Sequence, residues 1–473
     1  MSTPEKNETS APELPRPCAA IIMAAGLGTR MRSELVKVLH PVAGRPMICY
    51  PVRAALLAGA TRVIVVVGHQ RKQVADALEQ AFPNDPVELA VQDQPLGTAH
   101  AVSCALPTLG DFVGDVLILS GDVPNLQVSL LTNLLAMPMA LRFVSMLPAD
   151  AGEYGRVVRD ATTSLPLRIV EFRDATPEER QLREVNAGLY CIDSTLLTET
   201  LKTLGRDNAQ GEYYLTDLVA RASGKRMQVG TIPLKGDAAH DVLGVNDRLE
   251  LSMAETRMQG TLRRALMRSG VTMLCPERTY LHDGVMVGPD TVLEPDVSLL
   301  GATRIGAACR IDQGSRLTDT VVGDAVSVFA YSHIDATVIE TGCQVGPFAR
   351  LREGTILREN AKVGNFVETK KTELGEGAKA SHLSYLGDAT IGARANIGAG
   401  TITCNYDGTN KHRTVIGADA FIGSDTQLVA PVEVGEGAYV GAGTTVCEDV
   451  PPGALAITRA PRRTIEGWVK RKR

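Results

Sequence analysis

Along residues 18–248, short apolar runs take turns with segments of helical spacing. CAAIIMAAG (18–26) is apolar and ends in Gly, PMICYPVRAALLAGA (46–60) has apolar positions at helical intervals, and TRVIVVVGH (61–69) is a β-branched run bounded by Gly68. RKQVADALEQAF is helical again, and VELAVQ and DVLILSGD continue the alternation. Buried strands alternating with helices predict a mostly parallel sheet covered on both faces. Ligands of such α/β folds bind beyond the carboxyl ends of the strands. Candidate chemistry is therefore expected just after the strands at 21–25 and 116–120. Residues 247–268 then read as one long helix, with Asp247 and Glu250 spaced as a capping box and Gly270 just past its end.

From about residue 285 the period changes to six. Aliphatic residues recur at Val287, Leu293, Leu299, Ile305, Ile311 and Leu317. They return at Val345, Leu351, Leu357 and Val363, and again at Ile416, Ile422, Leu428, Val434, Val440 and Val446. Four places after each stands a small or β-branched residue (Thr291, Val297, Thr303, Cys309, Ser315; later Ala420, Thr426, Val432, Ala438, Thr444), and Gly often follows the aliphatic directly. A period of six is neither helical nor alternating. It fits a short strand plus a tight turn, with the aliphatic inside, the small residue at a corner, and Gly taking dihedrals that other residues avoid. A prism so narrow excludes large rings, and residues 284–458 hold 24 glycines but only eight aromatics. The pattern matches the hexapeptide-repeat parallel β-helix of about 18 residues per coil, roughly ten coils here against a minimum of about three. Its left-handed winding is implied by the match, not by the period.

The chain has 473 residues, enough for two to four domains, and a net charge of −5 with no basic face, which argues against nucleic acid as the main partner. No run approaches the ~18 apolar residues of a membrane span. Residues 1–17 lack the apolar core of a signal peptide and read as a disordered tail. Nine scattered cysteines without a CxxC point to reduced thiols in a cytoplasm. The segment Arg459–Arg473 holds seven cations, one Glu and Trp468. It is either a solvated basic tail or a contact for the phosphates of a coenzyme.

After the first strand comes Ala24-Ala25-Gly26-Leu27-Gly28-Thr29-Arg30-Met31, then Val36-Lys37. A Gly-rich turn offers backbone N–H groups to phosphate oxygens, and Arg30 and Lys37 add charge to offset a nucleoside triphosphate. The spacing is neither that of a Walker loop nor of a dinucleotide fingerprint. The string resembles the GxGTRM…Pro-Lys signature of the sugar-nucleotide pyrophosphorylases, with Val36 in place of the Pro. Further matches are Gln92…Pro95-Leu96-Gly97-Thr98-Ala99, Ser120-Gly121-Asp122, Tyr154-Gly155-Arg156, Glu171, Asn186-Ala187-Gly188 and Gly244-Val245-Asn246. The resemblance implies that Met23, Ala24, Ala25, Gly26, Gln92, Gly97 and Thr98 hold the nucleotide, with Lys37, Ser120 and Gly121 also lining the site. Gly155, Glu171 and Asn186 would hold the sugar, and Asp122 and Asn246 Mg²⁺. Asp122 suits that role as a hard carboxylate at a strand's carboxyl end.

Within the six-residue repeat, Ser381-His382-Leu383-Ser384-Tyr385-Leu386-Gly387-Asp388 sets a His and a Tyr three apart in aliphatic surroundings. The run Ile397–Gly408 leads into a polar interruption, TNKHRT, and loops extruded from a regular scaffold tend to carry function. Together with the N-terminal motifs, over about residues 18–460, these strings resemble the bifunctional N-acetylglucosamine-1-phosphate uridylyltransferase / glucosamine-1-phosphate N-acetyltransferase family. The resemblance implies His382 as general base, Arg352, Lys370, Tyr385 and Asn396 on the sugar phosphate, and Ala399, Asn405, Tyr406, Ser424, Ala442 and Arg459 on acetyl-CoA. Glu353 stands where the family usually has Pro. An imidazole suits the proton that an amine must lose in attacking a thioester. The remaining histidines (40, 69, 100, 240, 282, 333, 412) lack such a setting and are expected to be structural or on the surface.

The expected architecture is an α/β Rossmann-like nucleotidyltransferase domain (18–248), a linker helix (249–269) and a left-handed β-helix acetyltransferase domain (270–458), flanked by tails at 1–17 and 459–473. The implied enzyme is a cytoplasmic homotrimer that uses Mg²⁺, UTP and acetyl-CoA to make UDP-N-acetylglucosamine for the bacterial cell envelope. Two alternatives stay open: a monofunctional sugar-phosphate nucleotidyltransferase with a regulatory β-helix, and a purely structural trimerisation rod.

Overall fold

The computed structural model describes residues 16–26, 28–68 and 71–469. Most of the expected N-terminal tail, Leu27, His69 and the last four residues of the basic tail lie outside the described residues. Residues up to Met258 form one compact unit and those from Gln259 a second.

The first unit is built on seven strands: β1 (Cys18–Met23), β2 (Arg62–Val67), β3 (Val87–Val91), β4 (Asp115–Ser120), β5 (Leu141–Leu147), β6 (Val185–Asp193) and β7 (Val229–Lys235). Their order is β7-β5-β6-β4-β1-β2-β3, and β6 alone runs against its neighbours. Successive residues of one strand serve opposite cores. Ala20, Ile22, Val63, Val65, Leu117 and Leu119 pack with the helices Cys49–Leu57 and Arg71–Ala81, while Ala19, Ile21, Ile64, Val66, Val116 and Ile118 pack with Thr98–Leu109. Both faces are thus covered, which is why these strands read as unbroken apolar runs. An antiparallel hairpin (Arg156–Arg159, Pro166–Val170) hangs on β6.

The helix read at 247–268 spans Arg248–Arg268. Asp247 caps it by accepting from Glu250 N–H at 2.9 Å. The Glu250 carboxylate accepts from Asn246 N–H at 2.6 Å, one residue further back than a capping box requires. In the first unit, Glu255 accepts from Ala43 N–H. In the second, the Gln259 amide bonds both backbone groups of Leu281.

The second unit is a parallel β-helix of three sheets, with eleven, ten and nine short strands. The aliphatic positions picked out by the period point inward and are buried, as are all ten small residues four places on. Several of those are hydroxyls that bond a corner carbonyl, such as Thr303 to Leu300 O and Thr426 to Gly423 O. None of the eight aromatics enters the core.

The glycines that follow the aliphatics have a different cause from the one expected. Gly288, Gly306 and Gly417 do not have positive φ. A Cβ at Gly288 or Gly306 would stand 2.7 Å from the backbone of the next coil, and one at Gly417 2.5 Å from Glu436 N. They are needed for close stacking of coils. The left-handed corner positions fall largely to other residues, among them Asp290, Asp296, Ala308 and Asp425.

From one inward position to the next, the first-to-second corners from Leu293 onward and all the third-to-first corners take six residues, while the opening coil takes eight from Met273 to Leu281. The second-to-third corner varies. It takes five from Leu317 to Val322, Ile334 to Ile339, Thr369 to Leu374 and Leu386 to Ile391, turning at Asp319, Ala336, Lys371 and Asp388, all with φ of 43–48°. It takes thirteen from Thr403 to Ile416, where the polar loop is extruded. Those shortened sides, with Thr369 and Thr403 as inward residues, break the six-residue period between 317 and 416. A glycine inserted after Asp319 lengthens a five-residue side to six and should shift the melting temperature by no more than about 3 °C. The same insertion after Ala330 throws a six-residue corner out of register and should lower it by about 10 °C or more, followed by circular dichroism.

Candidate active sites

In the first unit, predicted nucleotide residues stand at or just beyond the carboxyl ends of β1 (Met23), β3 (Gln92) and β4 (Ser120). Gly121 N–H donates to Met23 O at 2.9 Å and Val245 N–H to Asp122 O at 2.9 Å, which joins the loops after β1 and β4 to the approach to the long helix. On the sugar side, Asn186 N–H donates to Gly155 O, Asn186 Oδ1 accepts from Gly188 N–H, and a Cβ on Gly155 would lie 3.4 Å from Glu171 Oε2. Ser120 Oγ lies beside Gly188. Thr98, at the start of its helix, accepts from Leu215 N–H, and Thr216 Oγ1 donates to Glu171 at 2.9 Å. Burial pushes the Glu171 carboxyl up, and the Thr216 hydrogen bond works against it. Gln92 is buried, with Nε2 donating to Gly97 O and lying 2.9 Å from His100 Nδ1. His100, Thr216 and Glu250 escaped sequence reasoning as site supports, because only the tertiary fold brings them there.

The loop after β1 has the character of an anion cradle. Ala24 N–H is used by Val66 O, but the N–H groups of Ala25, Gly26, Gly28 and Thr29 have no partner among the described residues. The space beside Gly26 is open. Lys37 reaches back over Gly28, where a Cβ would stand 2.5 Å from the lysine's own Cβ. Its ammonium pairs with Asp122 and lies 3.3 Å from Asn246 Oδ1. A carboxylate and an amide oxygen therefore meet on one positive centre. That donor set fits Mg²⁺, which takes one or two hard protein oxygens and leaves its other positions to water and phosphate. Among the described residues no cluster of three or more His, Cys, Asp or Glu could hold a metal instead. Arg30 is exposed and close enough to Tyr154 to act on its hydroxyl. Val36 has φ −54°, a value open to the Pro that the signature carries at this position.

In the second unit, coils stack residue on residue at the first-to-second corner. One column reads Asn365, His382, Ala399, Ser424, Ala442; beside it run Tyr331, Phe348, Phe366, Leu383, Gly400, Asp425, Gly443 and Arg459. His382 stands where the second column turns from bulky to small, so a shallow trough runs from it along Ala399, Ser424 and Ala442. Arg459 closes the far end, with Nη1 donating to Ala442 O at 2.5 Å. His382 Nδ1–H donates to Asn365 Oδ1 at 2.9 Å, leaving Nε2 with its lone pair. Asn365 went unnoticed because it is seventeen residues away and only coil stacking makes it a neighbour.

On the second face, Arg352, Lys370 and Gly387 stack in one row with Tyr385 alongside. A Cβ at Gly387 would stand 2.5 Å from Tyr385 Oη and 2.8 Å from Asn405 Nδ2. Beneath, Thr403 Oγ1 accepts from Gly387 N–H at 2.7 Å and fixes its height. Asn405 donates to Asp388, and the extruded loop is braced by Asp407, which accepts from Thr409 and Asn410 N–H and faces His412 Nε2 at 2.7 Å. The Lys411 ammonium lies over the exposed Tyr406 ring. Asn396 is the exception. It points outward from the first face, round the corner from Lys370 and Tyr385.

Of the other histidines, His282 Nδ1 accepts from Gly301 N–H, His333 faces Arg350 and Asp335, and His40 is buried and kept below its usual range by burial and then by Arg248. His240 is exposed beside Asp237.

This combination defines a nucleotidyltransferase domain followed by a hexapeptide-repeat acyltransferase domain. Family models agree: a MobA-like NTP transferase domain matches residues 20–186, the GMPPB C-terminal domain 275–373, and the bacterial transferase hexapeptide (six repeats) 413–448, with the left-handed winding of that class. The bifunctional protein GlmU of Pelobacter propionicus is 49% identical over 454 residues, covering 95% of this chain and 97% of its own. The GlmU of an Anaeromyxobacter species is 53% identical over 461 residues (97% and 94%), and that of Geotalea uraniireducens 47% over 459 (96% and 99%). The chain belongs to the bifunctional GlmU family. Membership favours two activities over a single transferase with a regulatory β-helix, and over a structural rod.

Two glycine substitutions test whether the sites are independent. Gly28→Ala pushes on the Lys37 stem and should cut nucleotidyl transfer by about tenfold or more while acetyl transfer persists. Gly387→Ala displaces Tyr385 and Asn405 and should do the reverse, with both activities assayed on the same preparations.

Proposed function

We propose that the C-terminal half transfers an acetyl group from acetyl-CoA to glucosamine 1-phosphate. The N-terminal half then transfers uridylyl from UTP to the N-acetylglucosamine 1-phosphate formed, releasing pyrophosphate and giving UDP-N-acetylglucosamine. The observation that carries the reading is His382 at the head of the small-residue trough, its ring held by Asn365 and its Nε2 free to accept a proton.

In acetyl transfer, Lys370 and Arg352 hold the sugar phosphate, with Tyr385 and Asn396 on the sugar. Ala399, Ser424 and Ala442 leave room for the thin pantetheine arm, Asn405 and Tyr406 flank it, and Arg459 faces the coenzyme phosphates. His382 Nε2 takes the amine proton as nitrogen attacks the thioester carbonyl, and the thiolate leaves. In uridylyl transfer, the sugar-phosphate oxygen is already ionised, so no general base is needed. It attacks the α-phosphate, and the free N–H groups after β1 with Arg30 and Lys37 stabilise the charge that moves onto the leaving pyrophosphate. Met23, Ala24, Gln92, Gly97 and Thr98 seat the nucleotide, while Gly155, Glu171 and Asn186 seat the sugar. Asp122 and Asn246 would hold Mg²⁺, which when bound offsets the triphosphate charge.

The enzyme works as a homotrimer in the cytoplasm. Support for the oligomer comes from an exposed apolar ridge on the prism. Tyr331, Phe348 and Phe366 stack with centroids 5.4 Å apart and, with Leu383, form a ladder about half exposed (48–62%) beside His382. So large an apolar ridge calls for cover by protein. The position of Asn396 on the face adjoining that of Lys370 favours a site completed by a second copy. None of the nine cysteines is in a disulfide, and among the described residues no helix is long and apolar enough to cross a membrane.

Offered glucosamine 1-phosphate, acetyl-CoA and UTP together, the protein should yield UDP-N-acetylglucosamine, coenzyme A and pyrophosphate by mass spectrometry. His382→Ala should lower thiol release by about 10²–10⁴-fold while uridylyl transfer continues. Asp122→Ala should do the opposite. Equal loss of both activities in either folded variant would refute the two-site reading. Phe366→Lys should shift sedimentation from trimer towards monomer and cost acetyl transfer alone.

A further inference from the structure

Both cations assigned above to the sugar phosphate are held by carboxylates of this chain. Lys370 Nζ lies 3.0 Å from Glu353 Oε1, and Arg352 Nη1 donates to Glu368 Oε1 at 2.9 Å. Arg352 Nε also stands 3.9 Å from Glu353 Oε2. The two carboxylates are mounted differently. Glu368 belongs to a strand of the second face and stacks between Arg350 and Tyr385. Glu353 belongs to the turn that follows the strand Arg350–Leu351, and half of its side chain is exposed. Its backbone is tied, since Glu353 O accepts from Lys371 N–H at 3.1 Å, while its carboxylate is held by the cations and by its own backbone N–H.

We infer that Glu353 competes with the substrate's phosphate for Lys370 and Arg352, and so sets the affinity of the acetyl-transfer site for its sugar phosphate. The inference rests on the assignment of Lys370 and Arg352 to that phosphate. A phosphate that approaches Lys370 meets a carboxylate of the same sign on the same cation, and one of the two anions must give way. An exposed ion pair is weak, so Glu353 yields to the substrate but reduces what binding gains. Glu368 is held in its strand ladder and stays to orient the Arg352 guanidinium. The extruded loop and the trough are untouched by this exchange, so acetyl-CoA binding and the proton transfer at His382 do not depend on it. The competition is between exposed charges and is therefore screened by salt.

The test is steady-state acetyl transfer by the full-length protein, with glucosamine 1-phosphate varied at saturating acetyl-CoA. Glu353→Gln keeps the shape and removes the charge. It should lower the KM for glucosamine 1-phosphate by about two- to fivefold, the range open to an exposed ion pair. kcat and the KM for acetyl-CoA should stay within about twofold, a split that general loosening of the turn does not produce. The gain should shrink as salt is raised. In parallel, Lys370→Ala should raise the sugar-phosphate KM by about tenfold or more, and on that background Glu353→Gln should bring no gain. If Lys370→Ala raises KM but Glu353→Gln leaves it unchanged or raises it, the competition is refuted and the phosphate assignment stands. If neither variant alters the sugar-phosphate KM, the assignment fails and the competition with it.

Discussion

The acetyl-transfer half depends on one constraint: each coil must stack on the last with its backbone in contact and its inward residue in line. Glycines next to the inward aliphatics allow that approach, because a Cβ at Gly306 would stand 2.7 Å from the carbonyl carbon of Gly323. Stacking turns sequence separation into contact. Asn365 meets His382, and Ala399, Ser424 and Ala442 line up beneath it, each displaced by one full turn. Along both columns, two of the three corners take six residues in every coil, so the columns stay straight. Variation there is confined to the second-to-third corner, where the loop carrying Asn405 and Tyr406 is extruded without disturbing them. A rigid rod with one permissive edge can hold a catalytic side chain accurately and still carry a loop that reaches over the ligand.

Both sites handle charge alike. Lys37 is held by Asp122 and Asn246, and Lys370 by Glu353, so each cation proposed to bind phosphate is fixed by oxygens of its own chain. An unpaired lysine would sample many rotamers and lose that freedom on binding, whereas a paired one is already ordered. The two pairings differ in burial. Lys37 and Asp122 have side chains less than one-fifth exposed, where charges interact more strongly, while Glu353 is half exposed and easily moved.

Much of this was legible in the sequence. Alternating apolar runs and helices predicted the two-faced sheet, because strands buried on both sides must be apolar throughout. The six-residue period predicted the prism, because one inward residue per side recurs at that interval. The Gly-rich loop, Lys37, Asp122 and His382 stood out as chemistry placed against those patterns. The period faltered between 317 and 416 because five-residue sides and inward threonines at 369 and 403 interrupt it, and those interruptions lie under the site.

What the sequence by itself determined is the pair of architectures and the candidate reactive side chains, since both follow from local spacing and side-chain chemistry. The tertiary structure alone decided which groups support them. Asn365 on His382, Thr216 on Glu171, Glu250 on Asn246 and Thr403 under Gly387 are joined across 4 to 45 positions of chain. It also decided that Tyr331, Phe348 and Phe366 form one exposed ladder and that Glu353 faces Lys370. A hydrogen bond or ion pair acts over a few ångströms of space whatever the separation along the chain. The partners of a catalytic residue can be read only once the backbone has been folded to bring them there.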